Sequence, residues 1–207
     1  RRFSEFKPQG CGEISLKRAL DKLSPKKIKS GKYCMIVENN CASRLVSPIF
    51  SALNGSNIQQ NNSFLLDKLG EKVFPDHMNI IDTPHLKGMS GSRYFDSEGI
   101  ATKERKIIDN GVVNPYFINT YYANKLRVEA TIESASVPTI SSIGYKPEYQ
   151  DMTLEQMMKV IGNGILVTGF NGGNCNETTG DFSYGVEGFA FRNGKLTHPV
   201  KEMLITG

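Results

Sequence analysis

Few side chains in this sequence could do chemistry. There are three histidines, His77, His85 and His198, and four cysteines, Cys11, Cys34, Cys41 and Cys175. No two histidines stand three or four residues apart on a helix. None lies near a cysteine at ligand spacing, so spacing offers no metal centre. His85 follows Pro84 in a loop, where a composite site with Asp96 or Glu98 is open to it. His198 precedes Pro199 in a strand-like run. Ser183 follows Asp181 in TGDFS, and serine with aspartate are residue types of a hydrolase triad. The G-x-S-x-G turn is absent, however, and Ser183 falls in a strand pattern, where a locally bonded hydroxyl is expected. Cys175 has no lysine or arginine beside it to hold a thiolate. The residues alone therefore nominate no catalytic group and no metal ligand.

The stretch GFNGGNCNETTG, residues 169–180, is rich in backbone donors. It lacks the lysine of a phosphate loop, and it joins two strands instead of opening a helix. Its glycines permit positive φ and close approach of another backbone. A sheet edge opened in this way can accept an extended peptide as an added strand. Asn171, Gly172, Gly173 and Asn174 are accordingly the first candidates for peptide or partner contact. Asp96, Ser97, Glu98 and Gly99, in a polar loop, are the second.

The elements that must position these residues centre on 165–191. ILVTG enters the glycine stretch as a short apolar strand, and DFSYGVEGFAF leaves it with alternating apolar residues. Phe182, Tyr184 and Val186 share one side. Phe189 and Phe191 resume the alternation after a shift at Glu187-Gly188, which predicts a bulge. Asn193-Gly194 predicts a hairpin, with residues 196–205 as the returning strand. Asn110-Gly111 predicts a second hairpin within 102–118. Helices are predicted over 11–23, with a stripe of Leu16, Ala19, Leu20 and Leu23, and over 42–53, kinked or restarted at Pro48. Further helices are predicted at 120–126 and after Thr153, whose capping box is completed by Gln156. SNIQQNNSF reads as loop, FLLDKLG as one or two helical turns, and Tyr33 to Val37 as a buried strand. Residues 130–150 read as extended and irregular.

The 207 residues are 39% hydrophobic and 22% charged, an ordinary globular composition. No apolar run approaches the roughly 20 residues of a membrane span, and no secretory leader is evident. With no initiator Met, and an end in the strand-like MLITG, the sequence is expected to be a fragment. Residues 1–32 hold ten Lys/Arg against three Asp/Glu, a net of +7, while the chain as a whole carries +4. No aromatic platform accompanies this basic end, so a solvated helix face and linker are expected, not nucleic-acid binding. Reduced cysteines in a cytoplasmic protein are the expectation from cysteine usage. Two segments follow: 1–32, an N-terminal helix and basic linker, and 33–207, an antiparallel β plus helix domain. The fold class is α+β, a large curved antiparallel sheet, barrel-like or sandwich-like, with helices packed on one side.

Several strings in order, KIKSGKY-x-MIVEN, SALNGSNIQQNNSFLLDKLGEKV, YFDSEGIATKERKIIDNGVV and TGDFSYGVEGFAFRNGKLTHPVKEMLITG, resemble the TldD/PmbA family. The likeness is closest to its PmbA (TldE) branch, in Bacteroidetes-like form. The resemblance implies the C-terminal domain of a cytosolic metallopeptidase subunit acting in proteolysis and peptide maturation. It further implies a TldD-like catalytic partner in a homo- or hetero-oligomer, and extended or unfolded peptide substrates. In TldD, zinc is held by an H-E-x-x-x-H helix and a distal cysteine. Alignment puts the two histidines near Ser47 and Ala52, the glutamate near Pro48, and the cysteine beyond Gly207. Zinc is therefore expected on the partner and no cofactor on this chain. The alternatives are a self-sufficient hydrolase using His85, His198 or Ser183, and a modulator of DNA gyrase acting as an adaptor through the basic end.

Overall fold

A computed structural model describes residues 7–141 and 151–207. The chain divides into two compact units. One comprises, among the described residues, 47–141 with 177–180; the other comprises 7–46, 151–176 and 181–207. Among the described residues, no helix is long and apolar enough to cross a membrane.

The second unit is built on an open four-stranded sheet. Its strands are β1 (Met35–Val37), β6 (Gly164–Cys175), β7 (Phe182–Arg192) and β8 (Lys195–Thr206), in the order β1-β6-β7-β8. β6, β7 and β8 are antiparallel neighbours, and β1 adds in parallel at Ile165, Leu166 and Val167. The Asn193-Gly194 hairpin forms as its dipeptide predicts, with both residues at positive φ. The register of β7 against β8 shifts between Val186 and Gly188, the predicted bulge.

Alternate residues of β6 enter two apolar clusters. Ile165 and Val167 pack with Tyr184, Val186, Ala190, Val200 and Met203, joined by Cys41 and Leu45 of α2 (Asn39–Ala52). Leu166 packs with Phe191 and with Met158 of α5 (Leu154–Ile161). The α+β class holds: an antiparallel-dominated sheet with packed helices, open and not closed into a barrel. α2 and α5 reach different clusters, so apolar residues are needed on both faces. Tyr184 lies in the first cluster and Phe191 in the second. α5 carries the capping box, with the Thr153 side chain accepting from the Gln156 N–H.

Helix α1 (Cys11–Asp21) forms, but its apolar stripe is not core. Leu16, Leu20 and Leu23 are 61, 55 and 64% exposed. Within this unit the helix is tied by ion pairs, Arg18 to Glu38 at 3.0 Å and Lys22 to Glu187 at 2.5 Å. Exposed pairs of this kind contribute about 0–1 kcal/mol each. The linker that follows adds a parallel bridge from Lys26 to Val200 of β8. β1 is shorter than expected and only half-buried at Ile36 and Val37.

The first unit holds a second four-stranded sheet, β4-β3-β2-β5. Its strands are β2 (Asn79–Asp82), β3 (Arg105–Asp109), β4 (Val112–Val113) and β5 (Pro138–Ser141). The Asn110-Gly111 turn joins β3 to β4 as predicted, and β5 emerges from a stretch that reads as irregular. Leu53, Leu65, Ile80, Ile107, Ile108 and Val113 are fully buried. α2 continues through Pro48 without a restart. The SNIQQ segment is not loop but the short helix α3 (Gly55–Gln59). The Asn54 side chain caps it by accepting from the Ser56 N–H. FLLDKLG makes turns and no helix. Asn119 caps α4 (Thr120–Leu126) in the same manner.

Gly188 is the tightest point of the β6–β7 pairing. A Cβ there would lie 1.9 Å from the Leu166 carbonyl oxygen. Gly188→Ala is expected to lower stability by about 3 kcal/mol, an overpacking cost that backbone atoms cannot relieve by rotating. Chemical denaturation of the two proteins measures the difference.

Candidate functional site

Asn171 to Asn174 do not form a loop. They continue β6, and the reversal to β7 lies beyond Cys175. Gly173 has φ +84° and stands so close to β7 that a Cβ would meet the Ser183 carbonyl oxygen at 2.0 Å. Only glycine satisfies both conditions, so this pairing with Tyr184 requires it. All four residues are exposed. β1 ends its pairing at Val167, and among the described residues no strand pairs with β6 from there to Cys175 on that side.

One side chain reaches this edge. Arg44, on α2, donates from Nη2 to the Gly173 carbonyl oxygen at 2.9 Å. The same guanidinium lies 5.0 Å from the Tyr184 ring centroid, a cation–π contact. Tyr184 is in turn flanked by Phe182, stacked at 5.3 Å, and Phe170, edge-on at 5.7 Å. An exposed extended backbone thus rests on a rigid aromatic base. Sequence reasoning missed Arg44, because 129 positions separate it from Gly173 and no local pattern marks the pair.

The second candidate loop, Asp96 to Gly99, is a hydrogen-bond hub of the first unit. Asp96 is buried, and its carboxylate accepts the N–H groups of Glu98, Ile100 and Glu133. Ser97 donates its hydroxyl to Glu133 Oε2 at 2.6 Å, and Arg93 Nη1 lies 3.1 Å from Glu133 Oε1. Glu98 accepts the N–H and hydroxyl of Thr120 at the start of α4. These acceptors are already engaged in holding the loop. His85 does not join Asp96 or Glu98 through a hydrogen bond. Its Nε2 is 3.0 Å from Thr102 Oγ1, and its ring lies 5.1 Å from that of Tyr94. His198 Nδ1 contacts Thr197 Oγ1 at 3.1 Å.

A further carboxylate cluster surrounds Glu177. Ser51 Oγ donates to it at 2.6 Å and Asn57 Nδ2 at 2.9 Å, while the Glu177 carbonyl accepts the Phe64 N–H. Ser51 lies on the helix that resemblance matches to a zinc helix, and its neighbours there do not suit a metal. Pro48 has no side-chain donor and Ala52 is a fully buried methyl. Among the described residues, no three His, Cys, Asp or Glu side chains converge to hold an ion.

The family model for the PmbA/TldA metallopeptidase C-terminal domain matches residues 30–207. The chain belongs to this family. The PmbA/TldA domain here is 34% identical over 200 residues to the metalloprotease PmbA of Escherichia coli O157:H7, covering 97% of this chain and 43% of the relative. A crystal structure from Bacteroides thetaiotaomicron, named as a candidate modulator of DNA gyrase, superposes with a TM-score of 0.91 at 51% identity. That match covers 99% of this chain and 45% of the other. TldE from Thermococcus kodakarensis shares the fold, with a TM-score of 0.77 at 20% identity over 96% of this chain and 46% of its own. The PmbA/TldA chain therefore spans less than half the length of these relatives.

The Glu133 carboxyl is held below the ordinary carboxylate range, first by the Ser97 hydroxyl and N–H and then by Arg93. A depressed carboxyl stabilises the fold above its unfolded value, about 4.3 for glutamate. That contribution is lost as pH falls through the lower folded value. Thermal melts between about pH 6 and pH 3 are therefore expected to fall less steeply for Glu133→Gln than for the unaltered chain.

Proposed function

We propose that the chain is the C-terminal part of a PmbA/TldE-like subunit in a cytoplasmic TldD–TldE-type metallopeptidase. Its task is to hold an extended peptide or a partner segment along the outer edge of β6, at Asn171 to Asn174. The observation that carries this reading is that edge: exposed, extended and without a pairing strand among the described residues, on an aromatic base clamped by Arg44. Main-chain hydrogen bonds at such an edge bind peptides with little regard to sequence, which suits degradation of unfolded chains and trimming of peptide precursors. Asp96 to Gly99 supply a rigid loop in the other unit and are a second, weaker contact surface.

The hydrolytic step belongs, in this reading, to a TldD-like partner that binds zinc. Ser47, Pro48 and Ala52 support that division of labour, because they offer no nitrogen or thiolate where the resemblance places metal ligands. Gyrase modulation is a second reading, favoured by the names of similar solved structures such as the one from Bacteroides. Salt-dependent DNA binding by the whole protein would support it.

Co-expression with a TldD-like protein from the same source tests the first reading. Co-purification and peptidase activity are expected together, with neither protein active alone and zinc recovered with the partner. Stoichiometric metal on this chain by itself would overturn the assignment. Within the active assembly, Asn174→Lys places a charge on the strand edge. It is expected to raise KM for extended peptides severalfold with kcat nearly unchanged, the pattern of lost uniform binding.

A further inference from the structure

Arg105, the first residue of β3, is a partly buried cation of the first unit. It sits opposite Asp82 of β2, yet no carboxylate oxygen lies within ion-pair distance of it among the described residues. Its Nε is buried and has no hydrogen-bond partner among the described residues. Burial pulls its pKa down, against the longer-range attraction of Asp82 and Asp96. Asp96 accepts three backbone N–H groups and Asp82 Oδ1 those of Ser136 and Val137, while Asp82 Oδ2, opposite Arg105 in the strand pair, is likewise buried with no hydrogen-bond partner among the described residues. That attraction acts without a direct hydrogen bond, and a ligand carboxylate that reaches the guanidinium adds a charge-assisted one.

Arg105 lines an open pocket of about 660 Å³. Lys103 and Lys106 line it too, with Ile100, Pro115 and Ile132 as apolar walls, and no acidic residue lines it among the described ones. Lys106 is paired to Asp109 at 2.9 Å, so Lys103 and Arg105 are the cations left to meet a ligand. A guanidinium fork is built for carboxylate recognition. The apolar walls call for a carboxylate attached to an apolar group. The volume holds two or three residues, within the usual range of ligand pockets.

We propose that this pocket takes the free C-terminal carboxylate of a peptide with an apolar last residue, Arg105 and Lys103 meeting the charge. This names the peptide end for the role proposed above and rests on that reading for its purpose. Its measurement needs neither a partner nor peptidase activity, so either can fail alone.

The experiment titrates the ¹⁵N-labelled chain with N-acetyl-Ala-Leu as the free acid and as the amide. The acid is expected to move the Arg105 Nε–H signal downfield and to saturate. The amide is expected to bind at least about tenfold more weakly, the worth of a charge-assisted hydrogen bond. Arg105→Gln is expected to abolish the preference for the acid, and Lys103→Gln to weaken binding of the acid. Lys125→Gln, outside the pocket, is expected to change nothing. Equal affinity for acid and amide, inorganic phosphate binding as tightly as the peptide acid, or an Nε–H signal unmoved at millimolar peptide would each overturn the proposal. Should Arg105→Gln melt early, the Nε–H signal of the unaltered chain decides the matter.

Discussion

The second unit depends on how closely two backbones approach. β6 and β7 pair along almost their whole lengths, with interruptions of register on both strands. At Gly188 and Gly173 the opposite carbonyl oxygen occupies the space a side chain would need. Close pairing at the bulge lets the strand carry Tyr184 into one apolar cluster and Phe191 into the other. Where Gly173 approaches β7, its carbonyl oxygen accepts from Arg44. The exposed edge is thus a consequence of the same backbone geometry that holds the sheet together.

Charge is managed differently in the first unit. Buried Asp82 and Asp96 accept backbone N–H groups, and Arg105 nearby makes no ion pair at direct contact distance among the described residues. Glu98 and Glu177 are likewise spent on holding other segments, the start of α4 and the end of α2. A carboxylate bonded in this way is a poor general base, since its lone pairs are engaged and its position is fixed. Polar density in this unit therefore supports loop geometry, and Asp82 Oδ2 and Arg105 Nε are the buried polar atoms there without a hydrogen-bond partner among the described residues.

Much of the architecture was legible because it is written in local chemistry. Asn110-Gly111 and Asn193-Gly194 made their hairpins since few dipeptides take two consecutive positive φ angles. Thr153 and Gln156 made a capping box since both partners lie within one turn. The family likeness was legible for a different reason, several distinctive strings in one order. Periodicity misled where burial decides. Leu16, Leu20 and Leu23 have helical spacing, and the helix forms, yet they stay exposed. SNIQQ has no apolar stripe to announce a helix, and Asn54 capped one all the same.

From the sequence alone come the antiparallel α+β class, the turns, the caps, the bulge at Gly188 and the nomination of Asn171 to Asn174. Each rests on residues a few positions apart, whose φ preferences and hydrogen bonds are intrinsic. The fold alone decided that these four residues are strand and not loop, that Arg44 clamps them, and that Asp96 is buried and spent. It also decided that Ser51 meets Glu177 across 126 positions and that Arg105 lines a pocket with Lys103. Those outcomes depend on which distant atoms arrive at 3 Å, and no local preference encodes a distance between segments a hundred residues apart.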